Sequence, residues 1–260
     1  MSQPSEVRLE YTAPRECGAS GLAGVGSTCH VTAPMPSALL AGATGLVGRA
    51  CLDLLLEDDV FERVVVITRR TLEGARSPKL EAHVVDFDHL DDHAALFRVD
   101  QIVCALGTTI KQAGSLERFR AVDYGYALKI AELGALRGAR HFLLVSSIGA
   151  DPRSWVFYPR VKGELEEAVV ALRYRSVSIV RPSVLLGERA EFRLGEEIAK
   201  RLVFLAFLVP AKYKPIHARD VAAALVRLAK EDQPGRRIVE SAELRAWAQG
   251  PPGANRVPVS

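Results

Sequence analysis

Tyr158 and Lys162 are the residues of this chain whose types and spacing best suit chemistry, because they lie four positions apart near the start of a predicted helix. This spacing places both side chains on one helical face, one turn apart. An ammonium favours the ionised form of a nearby phenol, so the pair suits proton transfer to or from an oxygen. Ser146 and Ser147 end the preceding predicted strand and can converge on the phenol. The simpler alternative is a surface tyrosine and lysine that share this spacing by chance.

A glycine-rich loop over residues 42–48, with the sequence GATGLVG, joins a short apolar run to an apolar-periodic segment. Glycines make the strand-to-helix turn, let the backbone approach a pyrophosphate, and let the helix pack closely on the strand. The N–H groups of the helix start then face the phosphates. The loop therefore predicts a dinucleotide site, and its predicted cofactor contacts are Gly42, Thr44, Gly45, Leu46 and Val47.

Arg69 and Arg70 follow the second predicted strand, where an acidic residue would bind the free ribose hydroxyl of NAD. Two guanidinium groups suit a 2′-phosphate, which favours NADP (NADPH) as the cofactor. A solvated basic strand end is the alternative. The third and fourth strands end in further predicted cofactor contacts, namely Asp86, Phe87, Ala105, Leu106 and Gly107.

From Ser37 onward, strand-like and helix-like segments alternate, which predicts an α/β fold with a doubly wound, Rossmann-like parallel sheet. The predicted strands cover residues 38–42, 63–68, 81–86, 100–105, 141–146, 177–181 and 236–240. An apolar stripe predicts a helix from about Gly45 to Leu56, and a second predicted helix carries Phe119, Val122, Tyr126, Ile130 and Leu133. Right-handed crossovers place the ligand crevice at the carboxyl ends of the strands.

Length and composition fit one globular domain with a substantial core, since 48% of the 260 residues are hydrophobic and 25% are charged. The 34 basic and 31 acidic side chains nearly balance, with a net charge of +3. This charge gives no reason to expect a nucleic acid or stable membrane insertion. Monomer and homodimer both remain open.

Three segments follow from composition. Residues 1–36 are rich in small residues and proline and lack the apolar run of a secretory signal, which predicts a disordered segment. An NAD(P)-binding domain is predicted over 37–240 and a C-terminal tail over 241–260.

Four cysteines without C-x-x-C spacing favour reduced thiols and a cytoplasmic location. The apolar run Leu202–Val209 is too short to span a bilayer and is predicted to cover the substrate crevice or pack on the sheet, with peripheral membrane contact as the alternative.

His89 and His93 could be imagined as metal ligands, because they lie four residues apart among three aspartates. No third distant ligand is evident in the sequence, so a solvated helix start is favoured and no metal is predicted.

Several motifs together resemble the atypical branch of the short-chain dehydrogenase/reductases, and more closely the Tat-interacting-protein-like oxidoreductases. They are GATGLVG at 42–48, TRR at 68–70, VVDFDHLDD at 84–92, CALGTT at 104–109, VDY at 122–124, SSIGAD at 146–151, YPRVKGELE at 158–166 and RPSVLLG at 181–187. The resemblance implies NADPH binding, with Pro182 and Val184 as additional cofactor contacts. It also implies catalysis by Ser147, Tyr158 and Lys162, with Ser146 as the alternative serine. Asp123 stands where many members have an asparagine.

These observations predict an NADP-dependent oxidoreductase that transfers a hydride to or from a small carbonyl or alcohol substrate. The alternative is a non-catalytic NADP(H)-sensing regulator that binds a protein partner, because a fold alone does not establish turnover. A sugar-nucleotide epimerase or dehydratase is disfavoured, since about 75 residues after Pro182 leave little room for a large substrate subdomain.

Overall fold

The computed structural model describes residues 36–186 and 213–249. Nine strands are described: β1 (Ser37–Ala41), β2 (Arg63–Thr68), β3 (Leu80–Val84), β4 (Gln101–Cys104), β5 (His141–Val145), β6 (Ser176–Arg181), β7 (Leu185–Leu186), β8 (Ile216–His217) and β9 (Gly235–Glu240). The α-helices are α1 (Leu46–Glu57), α2 (Ile110–Ala113), α3 (Leu116–Arg120), α4 (Ala127–Leu136), α5 (Phe157–Ala171), α6 (Ala218–Glu231) and α7 (Ser241–Gln249). A kinked 3-10 segment covers Phe87–Phe97, and a π-helical segment covers Ala121–Tyr126.

Seven parallel strands form the main sheet in the order β3-β2-β1-β4-β5-β6-β9, and β7 pairs with β8 separately. This order confirms the predicted doubly wound, Rossmann-like sheet. The strand order reverses between β1 and β4, which are hydrogen-bonded neighbours. In such sheets the ligand crevice lies at this reversal, outside the carboxyl ends of the strands.

Helices cover both faces of the sheet, and this explains the nearly continuous apolar strands. Successive side chains of a strand point to opposite faces. Leu40 packs in a core with α1 and α6, whereas its neighbour Leu39 packs in a second core with α4, α5 and the 3-10 segment. Both leucines are fully buried. The double core thereby holds the carboxyl edge of the sheet rigidly in place.

The end of the described chain differs from the predicted tail over 241–260, because residues 241–249 form α7. Leu244 is fully buried, and Trp247 packs against the core that contains α1 and α6. Arg227 and Arg237 lie over the Trp247 ring, at 4.4 and 5.0 Å from its centroid. Two apolar anchors in nine residues gave too weak a periodicity to predict this helix. The segment predicted to be disordered, residues 1–36, lies outside the described residues except for Pro36. The run at 202–209, predicted to cover the substrate crevice or pack on the sheet, also lies outside them.

Candidate active site

The glycine-rich loop connects β1 to α1 in a shape that side chains would block. Gly42 has φ of +94°, and a Cβ there would lie 2.5 Å from the carbonyl oxygen of Ala105. A Cβ on Gly48 would overlap the Gly42 carbonyl. Gly45 precedes α1 and has no side chain that could cap the N–H groups of the first turn. The loop therefore fits a pyrophosphate, which those N–H groups can bind.

Arg69 and Arg70 are both exposed at the carboxyl end of β2, next to the glycine-rich loop. The buried Thr68 hydroxyl donates to the Arg70 carbonyl at 2.9 Å and accepts from the Arg70 amide at 3.3 Å. These bonds hold the backbone of the turn, and both arginines are exposed. The residues predicted for the 2′-phosphate thus lie at the same sheet edge as the loop.

The carboxyl end of β3 leads into the 3-10 segment, which carries two predicted cofactor contacts. The Asp86 carboxylate accepts the Asp88 amide at 3.0 Å and so caps this segment. Phe87 is buried, with its ring centroid 5.6 Å from that of Tyr126. The Tyr126 hydroxyl donates to Asp88 at 2.5 Å, and this bond connects the 3-10 segment to the π-helical segment.

His89 and His93 have non-helical backbone angles within the same 3-10 segment, so they do not share a helical face. Across the described ranges 36–186 and 213–249, no group of three or more His, Cys, Asp or Glu side chains could hold a metal ion.

The phenol and ammonium predicted to carry the chemistry both belong to α5. Pro159 lies in its first turn, where the missing N–H costs no helical hydrogen bond. Tyr158 is partly exposed, and its ring packs on Phe119 with centroids 5.4 Å apart. Lys162 is buried one turn further along, at 3% exposure. The helix thus carries a partly exposed phenol and, one turn further along, a buried ammonium.

Lys162 forms a buried ion pair with Asp123, which belongs to the π-helical segment. The Lys162 Nζ atom lies 2.7 Å from Asp123 Oδ1, and the two side chains are 3% and 1% exposed. Burial alone lowers the pKa of a lysine, but the charge of Asp123 and the phenol of Tyr158 outweigh it and raise the pKa of Lys162. Lys162 is therefore a fully charged ammonium at neutral pH.

The two serines after β5 have different partners. The Ser146 hydroxyl donates to Glu166 at 2.5 Å, and Glu166 also accepts from Arg181 at 2.6 and 3.0 Å. The Ser147 hydroxyl is buried and has no hydrogen-bond partner within the described part of the chain. Ser147 is thus the serine with an unused donor, whereas Ser146 belongs to a closed network.

The segment after β6 runs beside these serines. The Pro182 carbonyl accepts the amide of Ile148, which follows Ser147, at 2.9 Å. Pro182 is buried, whereas the side chain of Val184 is exposed. The carboxyl ends of β1, β2, β3, β4, β5 and β6 therefore bring the predicted cofactor contacts that follow these strands and the predicted serine to one edge of the sheet, whereas the predicted tyrosine and lysine come from α5.

Sequence reasoning missed the connecting roles of Glu166, Asp123 and Thr108. Glu166 was detectable in principle, since it follows Lys162 by four residues and so shares its helical face. No local pattern connects Asp123 to Lys162 across the 38 intervening positions, nor does one indicate that Asp123 Oδ2 accepts the Thr108 amide at 2.8 Å.

Comparison with known families shows the family to which the chain belongs. A family model described as NAD(P)H-binding matches residues 42–232. The chain belongs to this NAD(P)H-binding family. HTATIP2 of Rattus norvegicus is 40% identical over 168 residues, which cover 64% of this chain and 69% of that protein. FMP52 of Debaryomyces hansenii is 34% identical over 220 residues, which cover 80% of this chain and 96% of that protein. The predicted resemblance to atypical short-chain dehydrogenase/reductases is confirmed.

Solved structures of proteins in complex with NAD share the fold. MoeE5 in complex with UDP-glucose and NAD has a TM-score of 0.60 at 17% identity, covering 82% of each chain. The enzyme WbmH of Bordetella bronchiseptica in complex with NAD+ has a TM-score of 0.62 at 15% identity, covering 85% of this chain and 84% of that one. At this identity the likeness establishes the Rossmann-like fold alone.

The names of the relatives overturn the predicted cytoplasmic location. The FMP52 relatives from Debaryomyces hansenii, Eremothecium gossypii and Candida albicans are named as mitochondrial proteins. The prediction was wrong because it relied on the cysteine spacing and on a missing apolar secretory segment, and neither bears on mitochondrial leaders, which are amphipathic and rich in arginine and serine. In residues 36–186 and 213–249, no helix is long and apolar enough to cross a membrane.

Proposed function

We propose that this member of the NAD(P)H-binding family is an NADP-dependent oxidoreductase that interconverts a small carbonyl compound and its alcohol. The observation that carries the proposal is the combination of a charged, buried Lys162, a partly exposed Tyr158 one turn away, and an unpartnered Ser147 hydroxyl. A protein that only sensed the cofactor would need no donor hydroxyls beside a charged lysine. No contact among residues 36–186 and 213–249 specifically supports the alternative, an NADP(H)-sensing regulator.

Each of the three side chains has a defined task in carbonyl reduction. Ser147 Oγ donates a hydrogen bond to the carbonyl oxygen and so orients the substrate. Tyr158 donates its proton to the same oxygen as the carbonyl carbon becomes tetrahedral. Lys162 stabilises the phenolate that remains, because its positive charge lies on the same helical face. The nicotinamide supplies the hydride when it is bound, so the substrate carbon gains two electrons and the oxygen one proton.

The preference for NADPH is supported by the end of β2. Arg69 and Arg70 are exposed there, and both carry the planar, multidentate donor group that matches a phosphate. The Thr68 side chain fixes the backbone of Arg70 at this position. We infer that these guanidinium groups bind the 2′-phosphate.

The test compares two neighbouring serines with the same substitution. Hydride transfer from NADPH to a panel of small aldehydes and ketones is measured in single turnover. Ser147→Ala removes the unpartnered donor, and transfer should fall by about 10²–10³-fold, the usual loss for one such donor. Ser146→Ala removes the bond to Glu166 and should chiefly lower stability, by about 1–3 kcal/mol.

A lack of carbonyl reduction with every compound of the panel, despite tight NADPH binding, would favour the sensor. Equal transfer rates in the two serine variants would remove Ser147 from the mechanism.

A further inference from the structure

We propose that Trp155 is a specificity-determining residue that binds the apolar part of the substrate. The site then takes an uncharged carbonyl compound whose non-reacting part is an aliphatic chain or an aromatic ring. This assignment rests on the proposed function for the position of the reacting carbonyl, which is at Ser147 and Tyr158.

The first observation is where Trp155 lies in the chain. The connection from β5 to α5 covers residues 146–156 and contains both Ser147 and Trp155, and Tyr158 follows in the first turn of α5. Ser147 and Tyr158 are the two donors proposed to meet the carbonyl oxygen. A compound that reaches both donors therefore lies alongside this connection, and the indole is only three positions from the phenol in sequence.

The second observation is that hydrogen bonds hold the backbone of this connection while the Trp155 side chain stays outside the core. The Asp151 amide donates to the Pro159 carbonyl at 3.1 Å, and the Ser154 amide donates to the Asp151 carbonyl at 3.0 Å. A Cβ on Gly163 would overlap the backbone of Asp151, so the connection packs directly on α5. Trp155 is nonetheless 98% exposed. Packing within the described part of the chain therefore does not explain an aromatic side chain here, whereas contact with a ligand does.

The third observation is that other exposed apolar side chains belong to the same edge of the sheet. Among the described residues nine large apolar side chains are exposed, and five of them lie in the segments that follow β4, β5 and β6. These five are Ile110, Leu116, Trp155, Val156 and Val184. The three strands are hydrogen-bonded neighbours, so their carboxyl ends lie side by side. Single exposed apolar residues are normal, but several around a few polar groups are typical of a ligand site.

Contacts of Phe119 bring the segment after β4 next to the phenol. Its ring centroid lies 5.8 Å from that of Phe157 and 5.4 Å from that of Tyr158. Phe119 belongs to α3, and Leu116 lies three positions earlier in this helix. Residues three apart are neighbours on a helix surface. The apolar surface beside the phenol therefore includes α3 as well as the start of α5.

The charged side chains closest to Trp155 in sequence have partners of opposite charge. Arg153 lies 3.7 Å from Asp151, and Arg160 lies 3.9 Å from Glu164. Neither pair presents a net charge that would attract an ionic substrate. This arrangement favours an uncharged compound next to the indole.

The experiment uses the two tryptophans of the full-length chain, Trp155 and Trp247. Protein labelled with ¹⁵N is saturated with NADP⁺, which has no hydride to transfer to a ketone. The two indole N–H signals are assigned by NMR with Trp155→Phe, which lacks one of them. 2-Octanone, whose carbonyl carries a hexyl chain, should shift the Trp155 signal in proportion to its occupancy. Acetone has the same carbonyl without the chain and should leave this signal nearly unchanged.

Trp247 is the internal control. It packs against the core that contains α1 and α6, with Arg227 and Arg237 over its ring, so its signal should respond to neither ketone. A Trp155 signal that 2-octanone leaves unmoved would overturn the proposal. A Trp155 signal that responds only to vesicles of phosphatidylcholine and phosphatidylglycerol would also overturn it, because the indole would then bind a lipid surface.

Reduction of methyl ketones from acetone to 2-octanone by NADPH gives the second readout. Burying one methylene contributes about 0.8 kcal/mol, so kcat/KM should rise by up to about fourfold for each methylene that the protein covers. Trp155→Ala should lose most of this rise. Leu136→Ala removes another exposed apolar side chain, at the end of α4, and should keep the rise. An equal rise in the wild type and in Trp155→Ala would exclude Trp155 from substrate recognition.

The apolar site and the oxidoreductase activity can fail separately. If no ketone is reduced but 2-octanone still shifts the Trp155 signal, the proposed activity fails and the apolar site stands. If carbonyl compounds are reduced at rates that do not depend on chain length, the activity stands and the apolar site fails.

Discussion

The two ends of strand β5 each hold a buried polar cluster, and the clusters differ in what they leave available. At the amino end, His141 Nε2 lies 2.9 Å from Ser178 Oγ, and His141 Nδ1 lies 3.4 Å from Asp232 Oδ1. At the carboxyl end, Ser147 has an unused buried hydroxyl within the described chain, and Lys162 carries a buried charge. We call the first cluster closed, because its histidine and serine are 1% and 4% exposed, and the second open, because the neighbouring Tyr158 is partly exposed.

The amino-end cluster has the residue types of a Ser–His–Asp triad, but its side chains are not accessible to a substrate. His141 and Ser178 are 1% and 4% exposed, so no substrate can reach them. Asp232 already accepts hydrogen bonds from Arg175 and Ser176, at 2.8 and 3.0 Å. Burial lowers the pKa of His141 to about 4 in spite of the nearby Asp232, so the imidazole is neutral at pH 7. His141 Nδ1 also has no hydrogen-bond partner within the described residues, so the two clusters differ in access and not in the presence of an unused group. The residue types of a triad thus do not make a site that a substrate cannot reach.

The largest expected effect comes from Tyr158→Phe, which tests the open cluster. Only a hydroxyl is lost, so NADPH affinity should stay nearly unchanged. Turnover should fall by about 10²–10⁴-fold, the usual share of a general acid. Single-turnover hydride transfer at saturating NADPH measures this loss.

Tyr174→Phe is the matched control, because it also removes one phenolic hydroxyl. Tyr174 donates to the Ala131 carbonyl at 2.6 Å, and this bond lies away from the crevice. The control should lower stability by about 1 kcal/mol and leave hydride transfer intact. An undiminished rate in Tyr158→Phe would exclude the phenol from the mechanism and end the contrast between the two clusters.

The second prediction concerns the closed cluster and its dependence on pH. The unfolded chain binds a proton at His141 near pH 6.5, whereas the folded protein does so only near pH 4. The contribution of neutral His141 to stability is therefore complete above pH 6.5 and is lost as the pH falls from 6.5 to 4. A shift of this size corresponds to about 3 kcal/mol. Urea unfolding of the wild type and of His141→Gln is measured across this pH range. The free energy of unfolding of the wild type should fall more steeply toward pH 4 than that of the variant, because glutamine does not titrate.

Val145→Ala provides the comparison for that series, since it weakens the opposite end of β5 without changing any titratable group. Its stability curve should run parallel to that of the wild type at every pH. If His141→Gln also ran parallel to the wild type, His141 would be titrating normally and the amino-end cluster would not be closed.

Much of the fold was predictable because both faces of the sheet are buried, which makes the strands short apolar runs bounded by polar residues. β2 coincides with the predicted strand at 63–68, and the other predicted strands differ from the structure by one or two residues at their ends. The helix at 241–249 was missed because its stability depends on packing Leu244 and Trp247 on distant elements. Such contacts leave little trace in a nine-residue window.

In the predicted site, too, local features were predictable from the sequence and contacts between distant elements were not. Tyr158 and Lys162 were detectable because helical spacing is a local property. Adjacent residues at a strand end point to opposite sides, but which of Ser146 and Ser147 bonds to Glu166 of α5 depends on how that helix crosses the sheet. The Asp123–Lys162 pair likewise depends on the relative placement of two helices, so its ion pair emerges only from the structure.

The smallest expected effect is a loss of NADPH affinity, and it compares arginines at the two opposite edges of the sheet. Arg70 is exposed at the carboxyl end of β2, and Arg137 is exposed at the end of α4, shortly before the amino end of β5. Arg70→Asp should weaken NADPH binding by about 1.5–3 kcal/mol, the range for a hydrogen bond to a charged group, which is about ten- to a hundredfold in Kd. NADH binding should change much less, because NADH has no 2′-phosphate. Arg137→Asp makes the same change in charge and should leave both affinities unaltered, since its side chain lies at the edge away from the glycine-rich loop. Fluorescence titration of both cofactors against the three proteins measures these values. Equal affinities of the wild type for NADPH and NADH would show that Arg70 does not bind a 2′-phosphate.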